Sequence, residues 1–182
     1  MSPRSKRRDV GEPMSAVVLS RVTPADAAAL IAANRASQAH HLPWVPSFTD
    51  QAGFDAWFNK TLTGPNVGLV AREAGSGEIV GVININEIVA GIFLSAYLGY
   101  YGMAAHARKG LMTTALRTAV RFAFDELGLH RLEANIQPAN HASIALVRRV
   151  GFKQEGYSPQ YLRINGAWQD HERWALINDK AD

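Results

Sequence analysis

The sequence predicts a layered α/β or α+β domain, a mixed sheet with helices on its faces. Three observations lead there. The element signals run strand, two helices, three strands, helix, strand, helix and hairpin. Period-two stretches such as His130–Ile136 alternate with period-3.6 stretches such as Arg108–Leu127. Asn165-Gly166, set between two late extended runs, is a strong short hairpin signal. Layering is how such an order buries the apolar faces of both sheet and helices.

Each element has its own local reason. Ala16–Val22 is a short apolar-rich first strand. Thr23-Pro24-Ala25-Asp26 opens a helix, with Thr as cap, Pro in the first turn and an acid three residues on, and the helix is expected to reach about Gln38. His40 to Pro46 reads as an aromatic, proline-punctuated loop. Thr49 or Asp50 caps a second helix to about Leu62, with Phe54, Trp57 and Phe58 on one face. Gly68–Arg72 and Glu78–Ile88 are strands joined by Ala74-Gly75-Ser76-Gly77, and Ile92–Tyr101 is the next strand. The following helix buries Met112, Leu116, Ala119, Val120, Ala123 and Leu127, wets Arg117, Arg121 and Asp125, and stops at Gly128. Asn140 caps a short helix that Gly151 ends.

Bulk properties narrow the function. The chain has 182 residues, 47% hydrophobic and 19% charged, which fits one globular domain spanning 15–182. Its net charge is +3, yet Arg4, Lys6, Arg7 and Arg8 outweigh only Asp9 and Glu12 within residues 1–14. Those residues read as a disordered basic tail, and the body is close to neutral. A nucleic-acid partner is therefore not expected beyond contacts of that tail. Without cysteine there is no disulfide, thiolate ligand or cysteine nucleophile, and a cytoplasmic location is expected. Residues 1–14 lack the apolar core of a signal peptide, and Ile79–Leu98 is too interrupted by polar residues to span a membrane. The six histidines show no metal-ligand spacing, so no metal is expected. Dinucleotide, phosphate-loop and serine-hydrolase motifs are absent.

The most informative stretch is Ala96–Leu116, a strand, a loop and a helix start with Arg108, Lys109 and Gly110 at the join. Helices usually carry an acid in the first turn to complement the dipole. Here no acid occurs from Ile88 through Phe124, while Arg108, Lys109, Arg117 and Arg121 fall within that span. A ligand is expected to supply the missing negative charge, and a pyrophosphate on the backbone N–H groups fits.

These landmarks resemble the GNAT acyltransferase superfamily, and the motifs Leu98-Gly99-Tyr100, Lys109-Gly110-Leu111-Met112, Asn140-x-x-Ser143, Gly151-Phe152-x-x-Glu155-Gly156-Tyr157 and Gly166-x-Trp168-x-Asp170-His171 resemble its RimJ/RimL branch. The resemblance is dense over about Ala96–Trp174. In the pyrophosphate-loop pattern only Gly110 matches strictly, since Ala107 replaces Gln or Arg and Met112 replaces a small residue. The resemblance implies a mostly antiparallel twisted sheet, acetyl-CoA as co-substrate, and transfer of acetyl to a primary amine. The branch includes enzymes acting on the N-terminal amine of ribosomal proteins.

Residue by residue, the resemblance implies that Gly99, Tyr100, Tyr101 and Gly102 meet the acetyl group and pantetheine through the backbone, although strand glycines also serve packing. It implies that Ala107, Arg108, Lys109, Gly110, Leu111 and Met112 hold the pyrophosphate, and that Asn140 touches the pantetheine arm besides capping its helix. Ser143 is the candidate partner of the leaving thiolate, or a second capping residue. Glu87, the one acid within the apolar strands from Ile79 to Tyr101, is the candidate general base, or a solvated strand end. His41 and Trp44 fall in the loop where the family receives its acceptor. Trp168, Asp170 and His171 are expected to brace the sheet beside that groove. Direct attack in a ternary complex is favoured without a cysteine. Three readings stay open at this point: a protein N-terminal acetyltransferase, a small-amine acetyltransferase, and a binding module that kept the fold without the chemistry. A homodimer is compatible with each.

Overall fold

The computed structural model describes residues 15–42 and 44–179, so the basic tail expected over residues 1–14 lies outside the described residues. Seven strands form one sheet in the order β1-β2-β3-β4-β5-β7-β6. They are β1 Val17–Arg21, β2 Val67–Glu73, β3 Ile79–Val89, β4 Ser95–Gly102, β5 Arg131–Ile136, β6 Lys153–Ile164 and β7 Ala167–Ile177. Every neighbouring pair is antiparallel except β4 with β5. The helices are α1 Ala27–Ala36, α2 Gln38–His41, α3 Gln51–Thr63, α4 Leu111–Arg121 and α5 His141–Val150.

Two apolar clusters sandwich the sheet. Leu111, Ala115, Leu116 and Ala119 of α4, with Ile144 and Val147 of α5, pack on Leu69, Ile83, Ile85 and Leu132. On the other face Leu30 of α1 and Phe54 of α3 meet Val70, Ile79 and Val82. In β3 the register passes from Arg72↔Ile79 to Ala71↔Gly81, leaving Val80 as the extra residue of a bulge. This one-residue step lets Val80 and Val82 serve opposite clusters, which strict alternation forbids.

Local signals place the helix ends. The Asp50 carboxylate accepts from Gly53 N–H at 2.8 Å and opens α3. The Asn140 amide oxygen accepts from Ser143 N–H at 3.1 Å and opens α5, which stops at Gly151 with φ 111°. Asn165 and Gly166, both at positive φ (50° and 84°), turn β6 into β7.

Three expectations are corrected. The stretch from Ile92 to Leu94 is a turn, with Ile92 97% exposed, and β4 begins at Ser95. There Gly91 and Leu94 take positive φ, and the Leu94 carbonyl accepts from His130 and Arg131 N–H, bending the chain out of strand geometry. His40 and His41 lie in α2 rather than in a loop. The helix expected from Arg108 starts at Leu111, and its far end widens into a π-turn over Phe122–Glu126.

Candidate active site

The parallel pair β4–β5 is joined over only three residue pairs, Ser95↔Arg131, Ala96↔Leu132 and Tyr97↔Glu133. Beyond Tyr97 the strands part, and a cavity of about 180 Å³ occupies the opening. Trp44, Gly99, Tyr100, Asn140, Ser143 and His171 are among its lining residues. Past the divergence, the β5-facing edge of β4 has no strand partner among the described residues, so its backbone polar groups are open to a ligand.

At the far end of β4 the chain turns into α4 through a short exposed loop of left-handed backbone. Arg108 and Gly110 adopt left-handed φ of 63° and 78°, and Ala107 through Gly110 are exposed. The N–H groups of Arg108, Lys109, Gly110, Leu111 and Met112 have no partner among the described residues, and the first turn of α4 carries no acid. Free N–H groups at a helix start, beside two cations, suit an anion such as a pyrophosphate.

Met112, a departure from the family's small residue, has its room supplied by the sheet. A Cβ on Gly81 would fall 2.5 Å from the Met112 sulfur, and one on Gly102 would fall 2.9 Å from its Cγ. Two bare strand positions therefore seat the first turn of α4, and the long side chain is accommodated beneath the loop rather than within it.

Inside the opening, the Tyr100 phenol and the Ser143 hydroxyl share a hydrogen bond of 2.7 Å. Burial pushes the Tyr100 phenol up to about 12, against which the bond to Ser143 works only partly. Ser143 is thereby held between Tyr100 on β4 and the Asn140 cap on α5. The adjacent Tyr101 points to the other sheet face, where its phenol meets Asn34 Nδ2 at 3.4 Å. Only the Tyr101 backbone is available to a ligand in the opening.

Two expected site residues are placed elsewhere. Glu87 is exposed on an irregularity of β3 between Asn86 and Val89, with φ 52°, and its N–H donates to the Asn66 side chain. It does not line the cavity, because the irregularity sets it at the end of β3 beside the closed end of the β4–β5 pair. His41 is buried, and both ring nitrogens are committed. Its Nε2–H donates to the Gly102 carbonyl at 3.0 Å, and its Nδ1 accepts from the Ser47 hydroxyl at 2.7 Å. His41 thus ties the acceptor-side loop to the end of β4 and does not reach the cavity, whereas Trp44 does.

The hairpin motif divides likewise. Trp168 is 61% exposed and braces nothing in the cavity. The Asp170 carboxylate accepts from the Tyr157 phenol and from Gln160 N–H, pinning the bulge of β6. His171 is 3% exposed and lines the cavity. The resemblance set His171 beside the acceptor groove, and the pairing of β7 with β5 brings it to the cavity itself.

Comparison with known proteins gives the family. The model of the acetyltransferase (GNAT) domain family matches residues 16–153, and the chain belongs to that family. The chain is 43% identical over 99 residues to the [ribosomal protein uS5]-alanine N-acetyltransferase of Escherichia coli, covering 54% of this chain and 51% of that one. It is 38% identical over 105 residues to a probable N-acetyltransferase of Bacillus subtilis, covering 58% of each. The chain thus spans about half the length of the curated relatives it matches. Among solved structures, Mycobacterium smegmatis RimJ in complex with CoA-disulfide superposes with a TM-score of 0.82 at 30% identity, covering 90% of this chain and 83% of that one. Ribosomal-protein-S5-alanine acetyltransferase from Vibrio fischeri gives 0.82 at 25% identity, covering 96% and 100%.

Proposed function

We propose that this protein transfers acetyl from acetyl-CoA directly to the N-terminal amine of a protein, with a ribosomal protein as the favoured acceptor. The observation that carries the transfer is the opening between β4 and β5, with a cationic, acid-free loop of free N–H groups at one end and the Tyr100–Ser143 pair inside. Acetyl-CoA supplies the activated carbonyl. The chain's own parts do the rest. The loop from Arg108 to Met112 binds the pyrophosphate, and the unpaired edge of β4 orients the thioester and polarises its carbonyl through backbone N–H groups. Ser143 donates a hydrogen bond to the departing sulfur, its direction set by Tyr100.

The acceptor choice rests on the cavity and on the relatives. No carboxylate occurs among the cavity-lining residues, and a polycation would call for several. A single terminal amine needs none, and titrating near 8 it is already roughly one-tenth neutral at pH 7. The relatives and solved structures named for S5-alanine acetylation support the same choice.

The test is thiol release from acetyl-CoA with peptides beginning Ala, Ser or Met, run beside spermidine. Turnover of the alanine-initiated peptide at least tenfold above spermidine is expected. A preference for spermidine would overturn the acceptor reading.

A further inference from the structure

We infer that His171 is the general base that takes the proton from the acceptor amine. The inference rests on the acetyl-transfer reading above and adds the group that reading lacks once Glu87 is found outside the cavity. His171 Nδ1 lies 2.9 Å from the Gln169 carbonyl oxygen. A carbonyl only accepts, so Nδ1 carries the hydrogen and Nε2 of the neutral ring keeps a bare lone pair. No described residue pairs with that Nε2, and the residue lines the cavity that holds Ser143 and Tyr100. A buried imidazole with one nitrogen fixed and the other vacant is oriented as a base, in contrast to His41, whose two nitrogens are both spent.

A second vacant acceptor lies beside it. Asn135 is paired with Arg173 across β5 and β7, and His171 is two residues along β7 from Arg173. Strand alternation therefore places Asn135 and His171 on the same sheet face. The Asn135 Oδ1 is buried with no partner among the described residues, and Asn135 also lines the cavity. An ammonium group entering the cavity meets one oxygen acceptor that can hold it and one nitrogen that can deprotonate it.

The proton balance is complete without another reagent. The ammonium loses one proton to His171 Nε2, and its nitrogen forms the bond to the acetyl carbon as the carbon–sulfur bond breaks. As the carbon–sulfur bond breaks, the second amine proton passes to the Ser143 oxygen while the serine hydrogen passes to sulfur, so the serine ends unchanged. The products are the amide and the free thiol, and His171 releases the first proton to solvent.

The charged and titratable groups around the ring are few. On β7 they are Asp170, Glu172 and Arg173, on β6 Tyr157 and Tyr161, whose ring centroid is 6.2 Å away, and on β4 Tyr100. Asp170 is bound to Tyr157 and Gln160, and Glu172 accepts from Trp174 Nε1, so neither carboxylate is free to replace the imidazole.

Three measurements decide the assignment. First, nitrogen-15 NMR of the imidazole in the whole protein is expected to show the Nδ1–H tautomer, and an Nε2–H tautomer would overturn the inference. Second, His171→Asn keeps a donor for the Gln169 carbonyl and removes the base. A kcat loss of 10²-fold or more is expected, with the acid limb of the pH–rate profile gone and acetyl-CoA affinity and Tm held. A folded His171→Asn protein within threefold of the parent, keeping that limb, would overturn it. Third, unaltered protein is assayed with an alanine-initiated peptide and with a trifluoroalanine-initiated one, whose amine is far less basic. An acid limb at the same pH for both supports an enzymic base, and a limb that follows the amine refutes it. If the peptides fail and spermidine is acetylated, the acceptor reading falls. His171→Asn with spermidine then decides the role of the base alone.

Discussion

The Tyr100 phenol and the Ser143 hydroxyl, on β4 and α5, meet at 2.7 Å across the opening of the sheet. The phenol is protonated at neutral pH at its ordinary value near 10, and burial pushes it further up, to about 12. It can donate to the Ser143 oxygen, which, on the transfer reading proposed above, leaves the serine hydrogen for the departing sulfur. Ser143→Ala is expected to lower kcat about tenfold, since water replaces the donor imperfectly. Tyr100→Phe should cost less, and the double variant should match Ser143→Ala, as expected for a group acting through another. Steady-state kinetics with melting curves check this, and additive losses would separate the two hydroxyls.

Charge reversal in the loop tests the cofactor site. Arg108 is exposed, so Arg108→Glu should leave Tm nearly unchanged. Acetyl-CoA affinity should fall about tenfold at low ionic strength, and the difference should shrink as salt is added. Calorimetry at two salt concentrations reads both effects.

Seating of α4 on bare strand positions makes Gly81 sensitive to any added side chain. An alanine Cβ there would lie 2.5 Å from the Met112 sulfur and 2.6 Å from the Tyr101 carbonyl oxygen. Gly81→Ala is expected to destabilise by about 1–3 kcal/mol. Adding Met112→Ala should recover only part of that, because the contact with the backbone carbonyl remains. Urea unfolding measures the sum.

Glu87→Gln is expected to leave kcat, KM and the pH–rate profile unchanged. The side chain stands on an exposed irregularity outside the cavity. A changed acid limb would return Glu87 to the mechanism.

The protein should lose stability in mild acid through His41. Burial holds this imidazole below its ordinary value of 6.5, helped by the charge of His40 and opposed by the bond to Gly102. With a depressed folded value, the unfolded chain binds the proton first. The neutral-state advantage is fully present above pH 6.5 and is lost as pH falls through the window down to the folded value. The slope of Tm against pH below 6.5 should flatten in His41→Gln, although its Tm at pH 8 should be lower.

What was legible in the sequence was local. Asp50, Asn140, Gly151 and Asn165-Gly166 each act within a few residues, and each element they delimit is present. The acid-free start of α4 was readable for the same reason, because it is a property of one stretch. The sheet's bulges and contacts between distant segments were not. Ile92–Leu94 is apolar enough for a strand, but the bend that excludes it depends on His130 and Arg131. Glu87 reads as a strand-end carboxylate, and only the irregularity in β3 turns it away. Met112 looks like a poor match until Gly81 and Gly102 are brought beneath it. The resemblance marked Ser143 for the thiolate and set His171 beside the acceptor groove, but no local signal put the two in one cavity, since one lies on β7 and the other on α5.

Three residue pairs are a thin seam for a seven-stranded sheet. They divide its hydrogen bonding into two blocks, β1–β4 and β5–β7. Amide exchange should therefore be graded, with Leu98–Gly102 less protected on the side of the opening than the paired heart of β3. A ligand laid between the blocks would act as the missing strand, lending its own amides to that edge. Acetyl-CoA should slow exchange on both sides of the seam together and raise the melting point with concentration, by mass action. On the transfer reading proposed above, loading the co-substrate would also finish the sheet.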